Sequence, residues 1–300
     1  MKIVNLIKDY LSSIELENKS SLTIRNYSHY LLRFADFLEG HFPISYIGDL
    51  NKEIINAYKK YLEKFVDSKG NLLDSRTQAY HLIALRSFIK FVRLNNIVTI
   101  NPETIEIPKS HCRPLKFLDN QQIEILLRLA DNLRDKCILE LILATGLRVS
   151  DLVKINRQDV NFRNGEINFS TKGNFRSILL SDNAIYWLKK YLDNRNDDSA
   201  ALFTRTSGKK DASLRLTVRT IQRIVEKYVK EANLPIKATP HTLRHTFAIN
   251  LLSEGKKLSA VQRILNHKNI STTQIYTHVT NPQLKEIHKK FHGKASEIQH

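Results

Sequence analysis

Hydrophobic residues recur at helical spacing through the first third of the chain. The clearest examples are Tyr27, Leu31, Phe34 and Leu38 ahead of Gly40, and later Leu85, Phe88, Ile89 and Val92. Apolar side chains three and four residues apart lie on one face of a helix, where they are buried together. The pattern predicts four helices between Met1 and Asn96 and therefore a helical N-terminal domain, residues 1–100.

The helical pattern stops between residues 101 and 116. This stretch combines three prolines with basic side chains: Pro102, Pro108, Pro114, Lys109, Arg113 and Lys116. A proline disfavours the helical conformation of the residue before it, and it kinks or breaks a helix when it lies in the interior. We predict an extended basic linker over residues 101–116 that joins two domains.

Residues 117–300 are expected to form a second, mixed domain. Asp119 is a plausible N-cap for a helix, and the apolar helix from Cys137 to Ala144 closes at Gly146. The spacing of the hydrophobic residues then changes to that of short strands, at 160–162, 166–170 and 176–180. The turn signals Asn164-Gly165 and Lys172-Gly173 separate these strands. Helices resume afterwards, including 217–231, so the fold class is mainly α with a small antiparallel β-sheet.

Charge narrows the possible partners. The 300 residues carry 47 Lys and Arg against 30 Asp and Glu, a formal net charge of +17, on a chain that is 42% hydrophobic. A folded protein with this excess favours nucleic acid, although charge alone leaves membrane surfaces and acidic proteins open. Two cysteines, Cys112 and Cys137, are too few for a disulfide framework. No apolar run is long enough to span a membrane, and we expect a cytoplasmic protein.

Four short segments carry most of the candidate chemistry. They are ATGLRVSDL at Ala144–Leu152, TPHTLRHTF at Thr239–Phe247, LNHK at Leu265–Lys268 and STTQIYTH at Ser271–His278. In this order and spacing they closely resemble the tyrosine recombinase family, and the compact layout resembles its Xer branch. The resemblance covers nearly the whole chain. It implies a SAM-like helical core-binding domain and a catalytic domain that together form a C-shaped DNA clamp.

The resemblance also implies a catalytic set. By position in the motifs this set is Arg148, Lys172, His241, Arg244, His267 and Tyr276. Tyr276 is expected to attack a DNA phosphodiester and give a 3′-phosphotyrosine, with His241 in proton transfer. The planar forks of the two arginines suit an anionic phosphate, Lys172 is expected to protonate the leaving 5′-oxygen, and His267 to donate to a nonbridging oxygen. No metal or nucleotide cofactor is implied.

Several residues in or near these motifs carry further expectations. Asn266 stands where the family usually has Gly, and Asn tolerates a positive φ better than most residues. Asp151 is expected to orient Arg148. His241 and His245 have the spacing of a zinc pair but lack a convincing third ligand, so we predict no metal and treat His245 and His278 as structural.

Two helical stripes of basic residues are candidate contacts to the DNA backbone, with a solvated face as the alternative. They are Arg86, Lys90 and Arg93 in the first domain and Arg219, Arg223 and Lys227 in the second. A terminal helix at 282–291 fits docking on its own domain or on a neighbouring protomer. The implied partners are duplex DNA with an inverted-repeat site, a homotetramer on two duplexes or a partner recombinase, and a septal DNA translocase, with no membrane.

The resemblance leaves three functions to compare. The leading hypothesis is Xer-like resolution of chromosome or plasmid dimers. An integrase or transposase of a mobile element is the alternative within the family, with a type IB-like topoisomerase more distant. From another class, a catalytically silent DNA-binding protein would bind DNA with strong salt dependence and form no covalent adduct.

Overall fold

A computed structural model describes residues 2–42, 44, 46–68, 70–108, 115–171, 174–205, 214–267 and 269–276, without the side chains of Thr171 and Asn174. The chain divides into two compact units, Met1–Arg113 and Pro114–His300. Both are mainly helical, and the second also contains a three-stranded antiparallel sheet. This composition confirms the predicted fold class.

The first unit is built from four α-helices, as the apolar spacing predicts. They are α1 (Ile3–Leu16), α2 (Ser21–His41), α3 (Lys52–Lys64) and α4 (Ser75–Leu94). Ser20, Asn51 and Asp74 cap the last three by accepting hydrogen bonds from backbone N–H groups in the first turn. Such caps satisfy donors that have no partner within the helix, so the polar residue before each apolar run fixes where the helix begins.

The core of this unit confirms the predicted apolar faces. Helices α2 and α4 contribute fully buried side chains to one core, Leu31 and Phe34 from α2 and Leu85 and Phe88 from α4. Tyr58 on α3 is also fully buried, and its ring meets Phe34 edge-on with centroids 4.9 Å apart. Tyr58 is therefore part of the packing of this core.

The first half of the predicted linker belongs to the helical unit instead. Residues Pro102–Thr104 form a short 3₁₀ turn capped by Asn101, and the Ile105 side chain is fully buried in the N-terminal core. Glu103 also forms an ion pair with Arg86 on α4. Prolines end a regular helix but permit a turn, and one apolar side chain is enough to anchor that turn to the core. Residues 109–114 lie outside the described residues.

The second unit contains eight α-helices among the described residues. They are α5 (Asn120–Leu129), α6 (Leu133–Thr145), α7 (Val149–Leu152), α8 (Asp182–Asp193), α9 (Val218–Glu231), α10 (Pro240–Ser253), α11 (Leu258–Ile264) and α12 (Ser271–Gln274). Asp119 caps α5 in a capping box with Gln122, and Thr217 caps α9. The predicted helix starts at Asp119 and Thr217 are thus confirmed.

The sheet follows the predicted strands closely. Strands β1 (Val160–Asn161), β2 (Glu166–Thr171) and β3 (Asn174–Leu179) pair in the order β1-β2-β3, with Ile167 opposite both Val160 and Ile178. Gly165 occupies the turn before β2 with φ +64°, a conformation that glycine adopts without steric cost. The hairpin β2–β3 carries Lys172 between its strands, but Lys172 lies outside the described residues.

Helix α6 is the central element of the second unit. It packs against α8, α9 and α10, and its Ile138 and Ile142 are fully buried with Leu188 and Val225 from the surrounding helices. A helix that is apolar on most of its faces is buried on most of its faces. Its C-terminal end is therefore fixed in the interior, which positions the residues that follow. Of the described helices, none has the length and apolar character needed to cross a bilayer.

Candidate active site

The site begins at the end of α6, where Gly146 turns the chain. Its φ is +60°, and a Cβ at this position would overlap the Phe247 ring and contact the Leu265 side chain. Only glycine avoids both the unfavourable φ and the overlap. Arg148 lies directly before α7 and is half-buried. Its Nη1 lies 3.5 Å from the Leu265 carbonyl oxygen.

Helix α10 brings in the second arginine. Thr239 caps the helix through a capping box with Thr242, and Pro240 occupies its first turn, as the sequence predicts. Arg244 lies one turn later with only 4% of its surface exposed. Its guanidinium donates to the Gly146 carbonyl and, over 2.7 Å, to the Leu265 carbonyl. Both arginines therefore converge on the carbonyl of Leu265.

Arg244 stays positively charged and keeps N–H donors available for a ligand. Burial, followed by the charge of Arg148, lowers the pKa of Arg244 to about 10, so the guanidinium stays protonated at neutral pH. Two backbone carbonyls and one histidine nitrogen accept from its Nη atoms. A guanidinium has further N–H groups, so donors remain for an incoming anion.

His267 orients Arg244. Its Nε2 lies 3.0 Å from Nη2 of Arg244, and its Nδ1 lies 2.9 Å from Oγ1 of Thr273. A guanidinium can only donate, so Nε2 accepts, and the ring proton sits on Nδ1 and is donated to Thr273. Burial and the charges of Arg244 and Arg148 lower the pKa of His267 to about 4, which keeps the ring neutral. This arrangement differs from the predicted role, because Nε2 is an acceptor here and is not free to donate to a phosphate oxygen.

The turn before His267 confirms the expectation for Asn266. Its φ is +49°, in the left-handed region that glycine most readily adopts. Asparagine adopts this conformation more readily than other residues with a Cβ. The departure from the family's glycine is therefore accommodated by the backbone.

Tyr276 reaches the site from the segment after α12. It is 1% exposed and packs with Ile249, Val261 and Leu265, while its hydroxyl lies 2.8 Å from Nδ1 of His245. Burial raises the pKa of the hydroxyl, and the charges of Arg244 and Arg148 oppose that rise. The tyrosine therefore has two cations close enough to stabilise its anion.

The partner of the tyrosine hydroxyl is a residue that sequence reasoning treated as structural. His245 is half-buried, one turn after His241 on α10, and its ring meets the Tyr276 ring edge-on at 5.5 Å. The only sequence feature that pointed to His245 as part of the site was its position directly after Arg244 and one turn from His241. Distance along a helix does not indicate which of two histidines faces a tyrosine thirty-one residues away.

His241 lies at the mouth of the site. It is exposed, although the surrounding protein and the charges of Arg244 and Arg148 lower its pKa. It lines a cavity of about 660 Å³ together with Arg219, Lys237 and the N-terminus of α10. Among the described residues, the Tyr276 hydroxyl is hydrogen-bonded to His245 and not to His241.

Asp151 does not orient Arg148, as the sequence suggested, but forms an ion pair with Arg176. Oδ2 of Asp151 lies 2.8 Å from Nη1 of Arg176, and both side chains are almost fully buried. Arg176 lies on β3, so the ion pair ties the sheet to helix α7. The competing attraction of an oppositely charged residue on another element was not visible from the local spacing.

The predicted DNA-contacting residues fall into two groups. Four of them are exposed and form no ion pair among the described residues: Lys90, Arg93, Arg219 and Arg223. Arg86 is engaged by Glu103, and the Lys227 ammonium lies 4.5 Å from the Tyr228 ring and 3.9 Å from Glu231. The first group presents unpaired charge to solvent, whereas the second is partly compensated within the protein.

The assembled site is positively charged and contains a tyrosine hydroxyl. His245 contacts the Tyr276 hydroxyl, and the charges of Arg244 and Arg148 act on it. His267 contacts Arg244, and the described carboxylate of Asp151 is paired with Arg176. An anionic phosphodiester suits this field, and a phenolate formed there would be stabilised. The fold and site together define a phosphoryl-transfer enzyme that uses a tyrosine nucleophile.

Comparison with known proteins identifies the family. Residues 116–282 match the model described as Phage integrase family, and residues 2–106 match the one described as Phage integrase SAM-like domain. The chain belongs to this family, the tyrosine recombinases, which cleave and rejoin DNA. Both the helical unit and the mixed unit are thus accounted for by domains of one enzyme.

Similar proteins point to the Xer branch. Tyrosine recombinase XerD of Staphylococcus epidermidis is 33% identical over 97% of this chain and 99% of its own length. XerA of Pyrococcus horikoshii is 34% identical over 96% and 95%. The fold is also that of the Tn1549 transposon integrase in complex with transposon right end DNA, with a TM-score of 0.74 at 20% identity over 98% and 100%. The chain is a Xer-like site-specific recombinase.

Proposed function

We propose that this recombinase resolves chromosome or plasmid dimers at an inverted-repeat DNA site through a 3′-phosphotyrosine at Tyr276. The observation that carries the proposal is the Tyr276 hydroxyl held beside Arg148 and Arg244 in a site without an unpaired described carboxylate. The similarity to XerD and XerA over nearly the whole chain supports the housekeeping role over a mobile-element role.

The two arginines hold the scissile phosphate. Arg244 is fixed by two carbonyls and His267, and Arg148 approaches the same Leu265 carbonyl, so both guanidinia are positioned before DNA arrives. A phosphodiester gains negative charge on its nonbridging oxygens in the transition state. Fixed donors at that point lower the barrier without reorganising during the reaction.

Lys172 protonates the departing 5′-oxygen in this proposal, and His241 lies where it can contact the phosphate. The role of Lys172 has a direct chemical test, because a sulfur in place of the bridging 5′-oxygen leaves as a thiolate without protonation. Lys172→Ala is expected to lose cleavage of normal DNA by about 100-fold or more and to recover it on the sulfur-substituted strand. A defect of equal size on both strands would remove Lys172 from this role.

DNA binding uses the exposed basic residues of both units. Lys90, Arg93, Arg219 and Arg223 are free to meet phosphates, so replacing one of them by Gln should weaken binding and reduce its salt dependence by about one counterion. Two duplexes must be held for exchange, which implies a tetramer on DNA or assembly with a second recombinase. The segment 282–291, outside the described residues, is our candidate for the contact between protomers, and a septal DNA translocase is a candidate regulator.

The function is tested with a suicide substrate, a nicked inverted-repeat duplex whose cleaved 5′ end diffuses away. The unchanged protein should accumulate a covalent protein–DNA adduct, and Tyr276→Phe should form none. Tyr58→Phe is the matched control, because Tyr58 is an equally buried tyrosine in the other unit. Tight DNA binding without any adduct in the unchanged protein would indicate a silent DNA-binding protein. Adduct formation by Tyr276→Phe would exclude the proposed nucleophile.

A second measurement tests the biological role. A plasmid dimer carrying two copies of the inverted-repeat site should be converted to monomers in cells that contain the recombinase. Conversion should require the intact Tyr276. Integration of the plasmid at varied chromosomal positions, without dimer resolution, would instead favour the mobile-element role.

A further inference from the structure

Helix α10 presents two histidines near the nucleophile, but only one contacts it. His241 and His245 are one turn apart, and the hydroxyl of Tyr276 lies 2.8 Å from Nδ1 of His245. His241 is exposed at the mouth of the site, where it lines the adjacent cavity. The contact identifies His245 as the base nearest to the proton that must leave Tyr276.

The direction of this hydrogen bond follows from acidity. A phenol is a far stronger acid than the N–H of a neutral imidazole, so the more favourable bond has the hydroxyl donating to an unprotonated Nδ1. The ring proton of His245 then resides on Nε2. His267 has the opposite arrangement, with Nε2 accepting from Arg244 and the proton on Nδ1. The two histidines therefore have different tasks, one orienting the arginine and the other facing the tyrosine hydroxyl.

We propose that His245 is a catalytic residue that accepts the Tyr276 proton during cleavage and returns it during rejoining. This inference rests on the proposed function. During cleavage the O–H bond of Tyr276 breaks as the Nδ1–H bond of His245 forms, and the tyrosine oxygen bonds to phosphorus. The bond from phosphorus to the 5′-oxygen breaks, and that oxygen takes a proton from the general acid. Rejoining reverses each step, so no other reactant is needed.

The surroundings explain why the transfer would await DNA. Burial, followed by His241 and Arg244, lowers the pKa of His245 to about 4, so the free protein disfavours the imidazolium. Arg244 and Arg148 act against a further positive charge in the same site. A phosphodiester anion bound by those arginines would offset their field and make the proton transfer more favourable. The base would thus be strengthened by the substrate on which it acts.

The test compares two substitutions of His245 in the full chain. His245→Phe keeps a ring but removes the acceptor, whereas His245→Asn keeps a hydrogen-bonding group near the position of Nδ1 without a base that can be protonated. Both are expected to slow single-turnover adduct formation by about 100-fold or more. Thermal unfolding and DNA affinity, measured in parallel, should remain close to those of the unchanged protein.

The sulfur-substituted strand separates this role from that of the general acid. Lys172→Ala should recover cleavage on that strand, but both His245 variants should remain slow, because their defect concerns the nucleophile. Rejoining from the trapped adduct should slow by a similar factor, since the same proton is returned to the tyrosine oxygen. A purely structural defect in the His245 variants would also be slow on both strands, but it would lower thermal stability or DNA affinity, which the parallel measurements detect.

Several outcomes would overturn the inference. Full activity of His245→Asn would reduce His245 to a positioning residue, and faster cleavage by His245→Phe would show that it holds Tyr276 back. Loss of cleavage in His241→Phe with normal cleavage in His245→Phe would assign the proton to His241. All these results presuppose an adduct at Tyr276 in the unchanged protein, so they are distinct from failure of the proposed function.

Discussion

Two buried clusters in this protein are built from the same side chains. In the N-terminal unit, Nη1 of Arg33 lies 3.1 Å from Nε2 of His81, and Nδ1 of His81 lies 3.1 Å from the Tyr58 hydroxyl. In the second unit, residues 114–300 and called the catalytic unit below, Arg244 pairs with His267 at 3.0 Å, and His245 pairs with Tyr276 at 2.8 Å. Each cluster thus contains an arginine–histidine pair and a histidine–tyrosine pair at nearly equal distances.

The connectivity of the two clusters differs. In the N-terminal unit one ring, His81, bridges the arginine and the tyrosine, and the Arg33 guanidinium lies 4.0 Å from the centre of the Phe65 ring. In the catalytic unit the arginine and the tyrosine have separate histidines, on the segment before α12 and on α10. A single bridging histidine uses both nitrogens within the core, whereas two histidines allow one to exchange a proton while the other keeps the arginine in place.

The charges around each tyrosine differ as well. Burial raises the pKa of both, but near Tyr58 one arginine opposes that rise while Tyr61 and Asp36 add to it. Near Tyr276 two arginines oppose it. A buried tyrosine beside a histidine is therefore a packing element in one setting and, in our proposal, the nucleophile in another. The difference lies in the second arginine and in a histidine that contacts the tyrosine but is not hydrogen-bonded to the arginine.

Replacing the central arginine of each cluster by lysine should give the largest contrast. Lysine carries the charge of Arg244 but cannot reach two carbonyls, His267 and a phosphate together, so Arg244→Lys should slow single-turnover cleavage by ~10³-fold. Arg33→Lys should leave the rate at saturating DNA within about twofold, because Arg33 acts within its own core. Equal losses from both substitutions would contradict the distinction between the clusters.

The Asp151–Arg176 ion pair is a feature of the catalytic unit that the Arg33 cluster lacks. Both side chains are nearly buried, so Asp151→Asn or Arg176→Gln leaves one charge uncompensated and should destabilise that unit by about 3 kcal/mol. The double variant removes both charges and should recover part of this loss. Urea unfolding monitored separately for the two units measures the effect. Additive losses in the double variant would mean that the two residues do not act as a pair.

Acid should destabilise both units, because each buries neutral histidines. The folded pKa is lowered to about 3 for His81 and about 4 for His267, below the usual value of 6.5, so the unfolded chain binds protons first as pH falls. Stability should therefore fall progressively from pH 6.5 toward pH 4, by at most about 3 kcal/mol for each buried histidine. Urea unfolding across this range measures the slope. His267→Asn should reduce the slope for the catalytic unit only, with the contribution of His245 remaining, and an unchanged slope would contradict the assignment.

The smallest expected effect is that of Tyr58→Phe. Removing the hydroxyl leaves Nδ1 of His81 without that partner in a packed core, which should cost the N-terminal unit about 1–2 kcal/mol. Cleavage should remain at the level of the unchanged protein. Thermal unfolding and adduct formation measure the two quantities. A large loss of cleavage with intact folding would give Tyr58 a role in the reaction.

Local patterns predicted the parts of the fold that local physics determines. Apolar spacing located the helices around Leu31 and Phe88, turn residues located the hairpin, and Thr239 with Pro240 fixed the start of α10. Motif resemblance then supplied the family and the residues that the site brings together. These features depend on neighbours in sequence, so a single sequence contains them.

Contacts between distant segments were the part that could not be predicted. His245 was treated as structural because only the fold brings Tyr276 to it, and Asp151 was assigned to Arg148 because Arg176 lies on a different element. Ile105 was placed in a linker because its burial depends on a cavity formed by other helices. In each case, the partner is chosen by tertiary packing.

The most direct test of this account is to identify the atom that joins the protein to DNA. The adduct formed on the suicide substrate is digested with protease and nuclease, and mass spectrometry locates the nucleotide on its peptide. We expect a single modified peptide in which Tyr276 is bonded to a 3′-phosphate, with a free 5′-hydroxyl on the released strand. Attachment at any other residue, or through a 5′-phosphate, would contradict it.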